Sequence, residues 1–294
     1  MKSKAIITSA SNKYFPSLLN FLLSIAHTYP SHPDIYVYDL GLSPIFIKYI
    51  EKNSKVHILK IPKFVSHWRS CYTWKTYILN TSLADLNLYI DAGCQILKNL
   101  EPLFTKIENN NYLLVDQGQD LTVKDITPPE YFDVLQIDPT YKNKPIIAAG
   151  IFGFKKNSNI TDVTRRLLSC GYAGLCLGFS KDELWKNKGV NKNNFIRDAK
   201  YFRHDTTLMS LLVWGLLPNP IIEPVDLFSG EKDAHPDQYL WNLRMNYSEL
   251  EYLKSNTTDV HFFIRMYIKF FLFLKKINRI KFVFTKIRNK IKGI

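Results

Sequence analysis

An α/β domain with parallel crossovers is predicted by two observations. Short apolar strands alternate with segments of helical periodicity through the first ninety residues, and polar residues stand at the C-terminal ends of those strands. Ala5-Ile6-Ile7-Thr8 reads as a buried strand, after which Leu18, Leu19, Leu22, Ile25 and Ala26 recur at helical spacing. Asp34–Tyr38 is a second strand, and Ser43-Pro44 opens a helix whose first turn does not need the missing proline N–H. Val56–Leu59 forms a third strand, Thr73–Leu83 a helix and Leu86–Ile90 a fourth strand. Strands at Tyr112–Val115 and Ile146–Phe154 follow, with a capping box at Ser180–Glu183 and a helix over Asp205–Trp214 that Gly215 and Pro218 stop.

The 294 residues are 46% apolar and 22% charged, a composition that supports one large core and argues against global disorder. Formal charge is +13, but from Val260 onward there are ten basic residues and no acidic ones. Residues 1–259 therefore carry 29 basic side chains against 26 acidic ones, and the basicity belongs to the tail. Cys71, Cys94, Cys170 and Cys176 have no CxxC spacing for zinc or dithiol chemistry and suit a reducing compartment. Only three consecutive apolar residues precede Thr8, too few for a secretion signal, so the expected location is the cytoplasmic side of a membrane.

Ligands of parallel sheets gather beyond the C-terminal strand ends, where Thr8–Asn12, Asp39 and Asp91 lie. Neither a G-x-G-x-x-G nor a G-x-x-x-x-G-K-S/T loop is present, which argues against dinucleotide and ATPase chemistry. Asp91 ends the strand Leu88-Tyr89-Ile90 and precedes Ala92-Gly93, a position for a carboxylate that holds a diphosphate-bound metal or, alternatively, caps a loop.

The segment Tyr89-Ile-Asp-Ala-Gly-Cys-Gln-Ile-Leu-Lys-Asn-Leu-Glu-Pro-Leu-Phe104 resembles the metal-binding segment of family 8 glycosyltransferases and related GT-A fold enzymes. Their Asp-x-Asp pair maps onto Asp91 and Gly93, so the second carboxylate is missing. The resemblance implies a single Rossmann-like nucleotide-diphospho-sugar transferase domain over residues 1–261, with a mixed central sheet and helices on both faces. It also implies a nucleoside diphosphate sugar donor, a UDP-sugar being favoured, and a cofactor of Mn2+ or Mg2+.

Further residues extend the resemblance. Ile6–Tyr14 is similar to the family's first nucleotide-binding loop, which implies donor contacts from Thr8, Ala10 and Asn12 or, alternatively, a plain turn and helix start. Lys75 stands at the separation of a basic residue that contacts donor phosphate, although a solvated helix residue has the same spacing. Ile147–Phe152 resembles the strand and turn beside the donor sugar; Ala148 replaces an asparagine there, and Gly150 permits close approach. Arg203–Met209 is similar to an Asp-Gln segment opening a helix near the transferred sugar, with Asp205 on the aspartate and Thr206 in place of the glutamine. Asp205 is thus a candidate to orient sugar hydroxyls or stabilise positive character at the anomeric carbon, or else a helix cap. His261 corresponds to a late metal-ligating histidine but lacks the downstream glycine and proline, which leaves a structural role open.

The expected function is transfer of a sugar to a hydroxyl of a cell-surface glycan or lipid-linked acceptor, as in lipopolysaccharide-type biosynthesis. The loss at Gly93 supports the alternative of a catalytically inactive GT-A-like glycan-binding or membrane scaffold protein.

Residues 262–294 form the second unit. Ile277, Ile280, Phe284, Ile287, Ile291 and Ile294 recur every three or four residues as one helical stripe, with Lys276, Arg279, Lys286 and Lys290 on other faces. This predicts an interfacial helix on an anionic membrane surface rather than a crossing helix, which needs about 20 apolar residues. Nucleic acid is not the expected partner, since no zinc module or RNP-like sequence accompanies the charge. Each basic residue near an anionic surface contributes roughly 1 kcal/mol. Removal of residues 262–294 should therefore abolish cosedimentation with phosphatidylserine vesicles in low salt, while the full chain retains a salt-resistant residue of binding through its isoleucines.

Overall fold

The computed structural model describes residues 2–118, 121–178, 202–243 and 266. The capping box at Ser180–Glu183, the candidate ligand His261 and the tail helix lie outside these residues.

Strand β1 (Lys4–Ala10) is the centre of the sheet, and its apolar run is buried throughout from Ala5 to Ala10. It pairs in parallel with β2 (Asp34–Asp39) on one side and β4 (Leu86–Ile90) on the other, and β3 (Val56–Lys60) pairs in parallel with β2. Each crossover is helical: α1 (Phe15–Thr28), α2 (Pro44–Ile50) and α3 (Thr73–Asn80). Pro16 and Pro44 both sit in first turns, where no N–H is required.

The second half of the chain reverses direction. A short strand β5 (Cys94–Ile96) leads into α4 (Glu101–Asn110), β6 (Tyr112–Leu113), α5 (Val123–Ile126) and α6 (Glu130–Leu135). Strand β7 (Ile151–Lys155) is antiparallel to both β4 and β6, and the six-stranded order is β3-β2-β1-β4-β7-β6. Helices α7 (Ile160–Ala173) and α8 (Asp205–Leu216) follow, and β8 (Leu240–Asn242) pairs antiparallel with β5 in a separate ribbon. The sheet is therefore mixed.

Period-two alternation divides the sheet between two cores. Ile6, Ile35, Val37, Leu88 and Ile90 pack with α1, α2 and α4 on one face. Ala5, Ile7, Tyr38, Tyr89 and Phe152 pack with α3, α7 and α8 on the other.

Three expected elements are shorter than their apolar runs. Helix α3 ends at Asn80 rather than Leu83 because the buried Asn87 accepts from the N–H groups of Leu83 and Ala84 at 2.9 and 3.0 Å, drawing them into a turn. The 146–154 run becomes ladder only from Ile151, since the Ile147 N–H donates to Ser210 Oγ of α8 at 2.9 Å instead of to a strand. Likewise β6 ends at Leu113, beyond which Val115 bridges Glu223 and Asp116 bridges Ile147.

Helix α3 lies so close to α7 that a Cβ on Gly171 would come within 2.3 Å of Thr76 Oγ1. Thr76 is one residue from Lys75, so this approach also sets the depth of the site described next. Gly171→Ala forces the two helices apart and should cost about 1–3 kcal/mol by overpacking. Chemical denaturation should show that loss, while a solvent-facing change such as Ser169→Ala leaves the midpoint in place.

Candidate active site

Strand alternation aims Asp91 and Tyr89 to the same face of the sheet, because they are two residues apart at the end of β4. Tyr89 is fully buried, and its hydroxyl donates to Asp91 Oδ1 at 2.6 Å while lying 3.2 Å from Ser9 Oγ of β1. Opposite, the first turn of α8 presents Asp205, which is 5% exposed.

Lys75 of α3 joins the two carboxylates. Its Nζ lies 2.9 Å from Asp205 Oδ2 and 3.2 Å from Asp91 Oδ1, and it donates to Asp91 Oδ2 at 3.4 Å and to the carbonyl oxygen of Ala149 at 3.2 Å. An ammonium has three N–H donors, and these partners use all of them. Burial alone pulls Lys75 down, but Asp205 and then Asp91 outweigh it and hold the group well above its ordinary value of 10.5. Burial and then the Asp91 carboxylate push the Tyr89 phenol well above its ordinary 10.0. Two carboxylates and one ammonium leave a net charge of about −1 on the network.

Gly150 completes the floor. Its carbonyl accepts from the Asp91 N–H at 2.8 Å, and a Cβ there would stand 3.0 Å from Asp91 Oδ2. The Asp91 carboxylate thus occupies the space that a side chain at position 150 would fill.

Above the network opens a cleft of about 500 Å3, whose lining includes Ser9, Ala10, Leu40, Tyr72, His204 and Asp205. A second cleft of about 700 Å3 runs from Asp116 past Asp226 and Glu231. The two share Gln117, Gly150 and Asn242.

The structure brings Ala10, Lys75, Asp91, Gly150 and Asp205 to one cleft. Thr8 is placed elsewhere: it is fully buried within β1 and its hydroxyl has no protein partner. Asn12 serves the loops, with its Oδ1 accepting from the Ser43 N–H at 2.6 Å and its own N–H donating to the Gly41 carbonyl at 3.1 Å. Asp39 ties the same loop by accepting from the N–H groups of Gly41 and Leu42. Ala148 is buried and lines the second cleft. His204 bonds the Cys176 carbonyl through Nδ1 at 2.8 Å. Burial lowers its pKa, but a hydrogen bond with Cys71 and the neighbouring charges raise it overall. Sequence reasoning did not single out Ser9, Tyr72, Gln117 or Asn242; only Ser9, within the first strand-end loop, carried any signal.

Asp91 is the exposed carboxylate, with a side chain 40% exposed, whereas Asp205 is buried against Lys75. Gly93 contributes no carboxylate, and no cluster of three metal-ligating side chains occurs among the described residues. Among the described residues the site thus offers a divalent cation one exposed carboxylate, which already accepts from Tyr89 and Lys75.

No protein-family model and no curated sequence matches the chain. Among solved structures, it is similar to the galactosyltransferase LgtC in complex with donor and acceptor sugar analogs, at 12% identity and a TM-score of 0.53, over 90% of this chain and 99% of LgtC. The fold is GT-A-like. It also matches GlyE of Streptococcus pneumoniae TIGR4 at 12% identity and a TM-score of 0.46, over 79% of this chain and 47% of GlyE. A match to the bifunctional WbbM has 13% identity and a TM-score of 0.47, over 85% of this chain and 44% of WbbM.

Breaking a buried ion network by removing one partner costs about 3–5 kcal/mol. Lys75→Met should destabilise the fold by that order, because Asp205 is left buried and unpaired. The pH dependence has a definite sign. A raised Lys75 pKa contributes stability that is complete below 10.5 and is lost as pH rises through the higher folded value. Urea midpoints measured from pH 8 upward should converge for wild type and Lys75→Met at the alkaline end.

Proposed function

We propose that this chain is a glycosyltransferase that moves a sugar from a nucleoside diphosphate donor, a UDP-sugar by preference, to a hydroxyl of a glycan or lipid-linked glycan. One observation carries the reading: in a GT-A-like fold, the strand-end Asp91 and the helix-opening Asp205 are locked together by a buried Lys75 at the base of a cleft.

In this reading the nucleotide lies toward Ser9 and Ala10, the diphosphate over Asp91 and the transferred sugar beside Asp205. Asp205 orients sugar hydroxyls and stabilises positive character at the anomeric carbon. Lys75 holds both carboxylates in their positions, and its engaged N–H groups make it an organiser of the site before it is a phosphate ligand. Bound Mn2+ or Mg2+, with Asp91 as its protein ligand, would neutralise charge on the departing diphosphate. The second cleft, sharing a wall with the first, receives the acceptor hydroxyl. That LgtC was solved with both donor and acceptor sugar analogs supports a donor and an acceptor sugar as the two ligands. The basic tail keeps the enzyme at the cytoplasmic face of a membrane, near an acceptor that cannot diffuse freely.

Gly93 favours one competing reading, a GT-A-like protein that binds glycans or serves as a membrane scaffold without catalysis. A donor panel scored for slow donor hydrolysis separates the two without knowledge of the acceptor. Asp91→Asn should lower the hydrolysis or transfer rate by about a hundredfold, with a thermal midpoint within about 5 °C of wild type. Chelation should suppress the wild-type rate and Mn2+ or Mg2+ restore it. Full turnover by the folded Asp91→Asn variant in the presence of metal would remove Asp91 from the mechanism.

A further inference from the structure

Five aromatic or imidazole rings line the first cleft: Tyr14, Tyr72, Trp74, Phe202 and His204. Tyr72 differs from the others. It is a large aromatic left 46% exposed, and its backbone is left-handed at φ 61° and ψ 16°. Cys71 before it is left-handed as well, at φ 50°. A bulky non-glycine residue in this region is an outlier that costs on the order of 1 kcal/mol and persists only where its surroundings over-determine it.

Those surroundings are visible. The Tyr72 carbonyl accepts from the Lys75 N–H at 2.9 Å, and the Thr73 N–H donates to the Ser70 carbonyl at 2.9 Å. The Tyr72 ring lies 6.1 Å from the Trp74 ring and 6.0 Å from that of His204. Lys75 Nζ lies over it, 5.4 Å from the ring centroid. A ring that would normally be buried or free to move is therefore held at the cleft wall, directly beside the ammonium that binds Asp205.

We infer that Tyr72 is the platform on which the transferred sugar lies, a positioning role that rests on the transferase reading above. The chemistry is complementary. The C–H groups on one face of a pyranose carry partial positive charge and an aromatic face carries negative charge, so the sugar stacks while its hydroxyl edge turns to Asp205. The ring stands beside His204 and the Lys75–Asp205 pair, where the reading above puts the transferred sugar.

Tyr72→Gly removes the ring and at the same time relieves the left-handed backbone, so loss of folding does not obscure the result. Calorimetric binding is measured for UDP, GDP and a panel of their hexose conjugates, on the full chain, on Tyr72→Gly and on Tyr72→Phe. For the best-bound conjugate, Tyr72→Gly should weaken affinity about five- to tenfold. Binding of the parent nucleoside diphosphate should stay within about twofold, and Tyr72→Phe should preserve both. Equal weakening of nucleotide and conjugate would place the ring against the base or phosphates and overturn the inference, and so would an unchanged conjugate affinity in Tyr72→Gly. If the unaltered protein binds neither nucleotides nor conjugates, the transferase reading falls and this inference falls with it.

Discussion

A buried ammonium must be matched by negative charge close at hand, and Lys75 imposes that requirement on the whole domain. Its side chain is 3% exposed, so the desolvation of the cation is offset only by carboxylates within direct reach. Asp91 comes from the end of β4 and Asp205 from the start of α8, elements more than a hundred residues apart in the chain. The parallel half of the sheet must therefore deliver a strand end to the same point at which the later helices begin. The glycines at positions 150 and 171 make this possible, one by leaving room for a carboxylate and the other by letting α7 approach α3.

The reversal of strand direction at β7 serves the same point. Because β7 runs antiparallel to β4, the loop that precedes it arrives beside the end of β4. Its Ala149 carbonyl takes the third Lys75 N–H, and its Gly150 carbonyl takes the Asp91 N–H. The same loop is held from behind by Ser210, whose hydroxyl accepts from Ile147 and donates to the Thr206 carbonyl. Helix α8 thus contributes Asp205 directly and positions the loop indirectly. Left-handed backbone at Cys71, Tyr72 and His204 is gathered around this network, where the surrounding bonds can sustain it.

Much of this was legible residue by residue. The parallel strands and their crossover helices followed from apolar periodicity, and the resemblance implied the GT-A-like fold with its mixed sheet, which the structure has. Asp91, Lys75, Gly150 and Asp205 could be nominated from motif position. Their mutual bonding could not, because side-chain partners on α3, β4 and α8 are set by how deeply three separate elements pack. Thr8 and Asn12 show the converse: a strand-end loop looks uniformly available in sequence, yet strand alternation turns Thr8 into the core and a loop bond engages the side-chain oxygen of Asn12. Tyr72 carried no signal at all, since left-handed backbone at a tyrosine has no local cause in its neighbours.

The sequence by itself determined the alternation of strands and helices, the near-neutral body with a strongly basic tail, and the loss of the second motif carboxylate at Gly93. These are properties of composition and short-range periodicity, and they survive without knowledge of any long-range contact. Only the tertiary structure decided that Lys75 is an internal counter-ion, that Asp205 is paired with it, and that two clefts meet at Gly150. The physical reason is burial: a charge chooses its partner from whatever packing brings within about 3–4 Å when water is removed, and packing brings together residues that the chain keeps far apart.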